Sequence, residues 1–277
     1  MHTLIVTAHP HPDALTHTVA RHIAEGITST AAGATVELAD LSQAFNAMLG
    51  RLDDAFQRLS AFSADIAHEL RTPLSNLLTH TQVILTRPRN LEEYREALLG
   101  NLEELQWMAQ MVNDMLFLAK AEHGLLNPNR ERLALGQETD ALLEYFLPLA
   151  EEAQVQLSRE GEATLEGDRH MLRRALSNLL DNALRFTPAN GQVAVRLGSA
   201  AGQVSISVQN NGQTIPSSAL PRLFDRFYRA DPARHEGSSE HAGLGLAITR
   251  SIIMAHGGTI RCESRDGITR FLIELPV

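Results

Sequence analysis

Apolar residues along this chain fall into three rhythms. Near the start, Leu4-Ile5-Val6 is a short apolar run that His9-Pro10-His11-Pro12 breaks. Val19, Ile23 and Ile27 then follow at helical spacing, Gly33 ends that helix, and Thr35-Val36-Glu37-Leu38 resumes a strand pattern. The expectation for residues 1–36 is strand, loop, helix, strand. The second rhythm alternates steps of three and four through Phe45, Met48, Leu52, Ala55, Leu59, Phe62 and Ile66. Such a heptad seam requires a partner helix. It continues through Leu70, Leu74, Leu77, Thr81 and Ile84, until Arg87-Pro88-Arg89-Asn90 interrupts it. A second helix follows, with Leu91, Tyr94, Leu98, Leu102, Leu105, Met108, Val112 and Met115 on one face. Two such helices make a hairpin that closes best as a four-helix bundle of two chains, so a symmetric homodimer is expected.

The third rhythm begins after Asn127-Pro128-Asn129, which reads as a linker. Asp168 is placed to cap a helix carrying Leu172, Ala175, Leu176, Leu179 and Leu180. Val193–Leu197 and Val204–Val208 alternate as half-buried strands, and Thr259–Cys262 with Arg270–Leu275 predicts a closing hairpin. Between these lies a polar, Gly/Ser-rich stretch near 230–242, expected to be mobile.

Bulk properties narrow the function classes. A chain of 277 residues with 44% hydrophobic residues suits roughly two domains. Its net charge of −9 argues against a nucleic-acid protein, which usually needs a basic face. The lone Cys262 cannot form an internal disulfide, which suggests a reducing compartment. No apolar run approaches the roughly 20 residues of a membrane span, and no signal-peptide pattern opens the chain, so the expectation is a cytoplasmic protein.

The most informative residues surround His68. It lies two positions beyond the seam residue Ile66, about 200° around the helix, and so points outward. Glu69 can accept a hydrogen bond from one imidazole nitrogen and leave the other free to attack phosphorus. The Thr72 hydroxyl, one turn on, could hold a water in line with a phosphorylated His68. Pro73 inside a helix favours a kink. Arg71 either steers phosphate or is a solvated side chain. Further along, Asn178 and Asn182 are four apart and share a helix face. Their carboxamide oxygens are suitable ligands for a hard cation. Gly243-Leu244-Gly245-Leu246 precedes a helix, where backbone N–H groups can approach phosphates.

Phe62 to Leu74, with its H-E-x-x-T-P pattern at His68, resembles the histidine box of sensor histidine kinases, and its wording is most similar to the heavy-metal (copper/silver) sensor subgroup. The resemblance covers about Glu37 to Val277. It implies a multidomain chain: a HAMP-like signalling helix over 37–62 and an all-α helical hairpin for dimerisation and phosphotransfer over 63–125. An α/β sandwich ATP-binding domain of the histidine kinase/Hsp90/gyrase type would follow over 126–277, swinging on a hinge near 124–130. The resemblance further implies ATP and Mg²⁺ as cofactors, autophosphorylation of His68, transfer to a response-regulator receiver domain, and phosphatase activity. Longer relatives would be anchored in the inner membrane.

Four boxes of the same family follow in order. Arg173–Thr187 resembles the asparagine box, with Asn182 as principal metal ligand, Asn178 in support, Arg185 reaching phosphate oxygens and Phe186 packing near adenine. Val208–Pro216 resembles the first glycine box, including Gly212. There Asn210 replaces an aspartate that accepts from the adenine amino group, and Thr214 replaces a glycine. Leu223–Arg229, with Phe227, resembles the phenylalanine box, and Ala242–Ile248 the second glycine box. His241 stands where a further glycine often does.

Met1 to about Leu41 instead resembles the start of flavodoxin-like NAD(P)H quinone oxidoreductases. Only the first strands and helix of that fold fit, and a flavin crevice needs about five strands. The histidines His9, His11, His17 and His22 lack carboxylate or cysteine companions for a metal. The rival readings are a non-catalytic nucleotide-binding dimer scaffold, a flavin-dependent quinone reductase fragment and a bare structural coiled coil.

Overall fold

The computed structural model describes residues 35–200, 202–229 and 243–277. The strand at Leu4–Val6, the helix through Val19–Ile27, the 230–242 stretch and His241 lie outside the described residues. The chain divides into two compact units, Met1–Arg71 and Thr72–Val277.

The first helix, α1, spans Thr35–Leu85 and has Pro73 within it. Thr35–Leu38 is therefore helical and not the second strand that its alternation suggests. Helical periodicity begins at Leu38 and Leu41, and a nascent helix extends backward at little cost once nucleated. In the first unit Phe45, Met48 and Leu52 are exposed along the seam.

In the second unit α1 ends where expected. α2, Leu91–Glu122, starts at a capping box: the Asn90 side chain accepts from the Glu93 N–H at 2.8 Å, and the Glu93 carboxylate accepts from the Asn90 N–H at 2.9 Å. Asn101 of α2 donates to the Thr81 hydroxyl of α1 at 3.1 Å. Met111, Met115 and Leu118 of α2 are buried, whereas Leu98, Leu102 and Leu105 are not.

After a linker come β1 (Glu131–Ala134), α3 (Leu135–Glu152), β2 (Gln156–Glu160), β3 (Thr164–Gly167) and α4 (Arg169–Phe186). β4 (Gln192–Ala200), β5 (Gln203–Asn211), α5 (Gly245–Ala255), β6 (Thr259–Arg265) and β7 (Ile268–Pro276) complete the domain. β1 and β3 form an antiparallel pair, and the main sheet has the order β2-β4-β5-β7-β6 with only β2–β4 parallel. Alternation sorts its faces. Val195, Ile206, Val208, Phe271 and Ile273 are buried beneath the helices, while Arg196, Ser205 and Gln209 stand on the other face. Leu176, Leu179 and Leu180 of α4 and Ile248, Ile252 and Ile253 of α5 complete the core.

Asp168 caps α4 as expected, accepting from the Met171 N–H at 3.0 Å, and its second oxygen accepts from the Asn129 N–H of the linker at 2.9 Å. Buried His256 joins the same corner. Its Nδ1–H donates to the Ile252 carbonyl at 2.8 Å, and its Nε2 accepts the Asp168 N–H at 2.9 Å, which selects one neutral tautomer.

Candidate functional site

α4 is amphipathic because its leucines recur every three and four residues, so its polar stripe emerges along one edge of the domain. That stripe carries Ser177, Asn178, Asp181, Asn182 and Arg185, all lining a cavity of about 1100 Å³. The Asn178 amide donates to the Gly245 carbonyl at 3.0 Å, with Thr249 Oγ1 at 3.5 Å, which turns its own oxygen away from that partner. The Asn182 carboxamide has no hydrogen bond among the described residues. Two amide oxygens on one face fit a hard cation. No cluster of three or more His, Cys, Asp or Glu side chains offers another metal site among the described residues.

Gly243, Leu244, Gly245 and Leu246 form the next wall. The N-cap residue of α5, Leu244, has no side-chain cap, so the first N–H groups of an 11-residue helix border the cavity without an intrahelical or capping partner. An uncapped helix start with a favourable dipole is a ready site for phosphate. Gly243 has φ +68°, and a Cβ there would lie 3.0 Å from the Phe227 backbone. Opposite, a Cβ on Gly212 would lie 2.6 Å from the Phe186 carbonyl oxygen. Both close approaches demand glycine.

Asn210, at 4% exposure, lines the cavity floor beside Thr269. Its amide nitrogen donates to the Asn211 carbonyl at 2.9 Å, which leaves its oxygen as the group to present. Thr214 ties the loop in place: its hydroxyl accepts the Gly267 N–H at 2.9 Å. A glycine there could not make that bond. Phe186 lines the cavity, with the Arg185 guanidinium 5.7 Å from its ring centroid.

One expected residue is not where the sequence suggests. Phe227 does not line the cavity; Leu223, Tyr228 and Arg229 do. Phe227 instead has φ +59° and donates its N–H to the Gly243 carbonyl at 3.1 Å, so it shapes the neighbouring glycine turn through its backbone.

The sequence reading also missed a wall. Trp107, Gln110, Met111 and Asp114 of α2 line the same cavity, as do Tyr145 and Phe146 of α3. A signal for the α2 wall was present: Met111 and Leu118 are apolar positions outside the seam, on either side of its last residue Met115.

In the first unit His68 is 78% exposed, as its place off the seam requires. The Glu69 carboxylate lies 3.8 Å from His68 Nδ1. That is too long for the expected hydrogen bond and counts as an ion pair only for a protonated ring. Thr72 is exposed.

The comparisons add three family matches. Residues 167–277 match the histidine kinase-, DNA gyrase B- and HSP90-like ATPase family, and residues 58–124 match the His Kinase A (phospho-acceptor) domain. Residues 1–90 match a flavodoxin-like fold, although 35–85 of that stretch is one α-helix. Sensor histidine kinase CusS of Escherichia coli K12 is 48% identical over 242 residues, covering 87% of this chain and 50% of its own length. The chain thus spans about half of that relative. Acinetobacter baumannii histidine kinase AdeS shares the fold with TM-score 0.63 at 22% identity, over 76% of this chain and 97% of that one. Full-length ShkA in complex with AMPPNP aligns with TM-score 0.60 at 25% identity, over 77% of this chain and 45% of that one. No helix among the described residues is long and apolar enough to cross a membrane.

Proposed function

We propose, for a chain that belongs to the sensor histidine kinases, that it moves the γ-phosphoryl group of ATP onto His68 and passes it to an aspartate of a response-regulator receiver domain. The single observation that carries this reading is the cavity where Asn178, Asn182, Asn210 and the uncapped start of α5 converge. ShkA, a relative by fold, holds an ATP analogue.

The roles follow from the donors and acceptors. Asn210 Oδ1 accepts from the adenine amino group, since its amide nitrogen is already committed. Phe186 packs near the base, and Arg185 with the α5 amides meets phosphate oxygens. Asn182, supported by Asn178, holds Mg²⁺, which supplies neutralisation of phosphate charge when bound. In the transfer the lone pair of His68 Nε2 forms the N–P bond and the P–O bond to ADP breaks. The Nδ1 proton passes to Glu69, which must close the present 3.8 Å gap. Thr72 orients a water that hydrolyses phosphohistidine in the reverse signal. A second copy of the chain covers the seam residues Leu98, Leu102 and Leu105, which makes the enzyme a homodimer.

The test is incubation with γ-labelled ATP. Acid-labile, base-stable label on the parent and none on His68→Gln is the expected result. ATP binding without label would favour the scaffold reading.

A further inference from the structure

The face of the main sheet turned away from the helices carries polar residues of β4, β5 and β7. Arg270 of β7 stands directly across from Gln209 of β5, and Arg196 of β4 is a diagonal neighbour on the other side of β5. Both guanidiniums converge on one neutral atom. Gln209 Oε1 accepts from Arg270 Nη2 at 2.7 Å, from Arg270 Nε at 3.2 Å and from Arg196 Nη1 at 3.2 Å. A carboxamide oxygen has two lone pairs, so three N–H donors oversubscribe it.

The charges are no better matched. Arg196 has a carboxylate partner in Glu160, at 3.0 Å. Arg270 has none among the described residues, and Gln209 is its only side-chain acceptor there. Glu263 is its cross-strand neighbour on β6, yet that carboxylate lies 3.5 Å from Arg261 instead. Arg270 is half-buried, so water offsets its charge less than at a free surface. On the same face, between Arg196 and Leu272 in register, the Ser207 hydroxyl is buried with no partner. A buried donor left unpaired costs free energy until an acceptor reaches it. Two cations and an unused donor thus share one patch, and the acceptor between the cations is neutral.

We propose that this patch of β4, β5 and β7 is a docking site for an acidic segment of a partner protein, one of whose carboxylates displaces the Gln209 oxygen between Arg196 and Arg270. A carboxylate brings two oxygens and a full charge to donors that now share one dipole, and it matches the edge of a guanidinium. A free ion gains little here, because the Arg196 side chain is 46% exposed and its charge is screened. A segment adds contacts along the sheet face that an isolated ion cannot make. The chain has a net charge of −9, so general attraction does not bring an acidic segment to it, and recognition rests on this patch. The proposal is independent of the kinase reading.

The test titrates the full chain with a fluorescein-labelled peptide of alternating Glu and Ser, read by anisotropy at low salt, with the Gln/Ser peptide as control. The parent should bind the Glu peptide and not the Gln peptide, and added salt should weaken binding. Arg270→Gln should weaken it about tenfold or more, the loss of a charge-assisted hydrogen bond. Gln209→Glu sets a carboxylate of the chain's own between the arginines, so it should block the peptide while unfolding no earlier than the parent. Arg261→Gln lies on the same face, but its guanidinium is already held by Glu274 at 2.8 Å, so it should bind as the parent does. Nucleotide binding should be unchanged in all three, since none of these residues lines the nucleotide cavity. A Gln209→Glu chain that still binds the peptide, or equal losses in Arg261→Gln and Arg270→Gln, overturns the proposal. So does a parent that ignores the Glu peptide, including one that takes up inorganic phosphate alone.

Discussion

In the α/β domain Leu179, Leu180, Ile252 and Ile253 are fully buried, whereas in the helix pair Leu98, Leu102 and Leu105 keep half or more of their surface in solvent. Both regions have regular apolar stripes. The difference lies in layers. Three helices on a five-stranded sheet close a core within one chain, while a two-helix hairpin leaves half its seam without a facing layer. One region buries its apolar stripes within the chain; the other leaves an apolar surface exposed, which the second copy proposed above would cover. α2 belongs to both, since its buried stripe serves the α/β domain and its exposed stripe serves the pair.

The largest effect is expected at the exposed imidazole. His68→Gln should abolish label while leaving nucleotide binding and thermal unfolding near those of the parent, because the side chain is largely exposed. An unfolded His68→Gln chain would break the contrast.

Next come two leucines of opposite status. Leu179→Ala should cost about 2–5 kcal/mol of stability, as for a fully buried leucine, read by denaturant unfolding. Leu102→Ser should leave the unfolding of the α/β domain unchanged and instead weaken association, read by sedimentation. Equal losses in the two variants would show that the regions do not differ as described.

A smaller effect tests the cavity floor. Asn210→Asp preserves an acceptor and should retain ATP binding, whereas Asn210→Leu should weaken it about tenfold, the loss of a hydrogen bond of about 1–1.5 kcal/mol. Titration with ATP and GTP separates base recognition from phosphate binding.

Asp168→Ala should cost about 1 kcal/mol as a lost cap. Burial works to raise this carboxyl, but the N–H groups of Met171, Asn129 and His170 outweigh it, and the net shift is downward. A depressed folded-state value means its stabilisation is present above the ordinary carboxylate range. It is lost as pH falls through the lower folded-state value. The difference between parent and Asp168→Ala should therefore shrink in acid.

The smallest effect concerns Cys262, whose thiol burial and the neighbouring Glu263 push up to about 12. Iodoacetamide at pH 8 should modify the folded chain far more slowly than the unfolded one. The raised value places its contribution to stability fully below the unfolded thiol range, near 8.5, and removes it as pH climbs toward 12.

Local rules were enough for much of this molecule. Heptad steps set α1 and α2, Asn90 and Asp168 mark helix starts, and alternation marks β4, β5 and the β6–β7 hairpin. The side chains on the polar face of α4 were legible for the same reason: residues four apart on a helix share a face whatever surrounds them. The strand expected at Thr35–Leu38 failed because four alternating residues cannot compete with the rest of the 51-residue helix that contains them.

What only the assembled fold decided depends on distant partners. The parallel β2–β4 pairing joins Gln156 to Gln192, and the β1–β3 pair joins Glu131 to Gly167 across an intervening helix. Phe227 was displaced from the cavity wall by the turn it shares with Gly243, sixteen positions on. Trp107 and Asp114 became cavity residues only because α2 lies against α5. Periodicity and capping act over a few residues and can be read from their order. Which surfaces meet is set by the summed burial and charge pairing of segments far apart in the chain, and no short window of residues contains that sum.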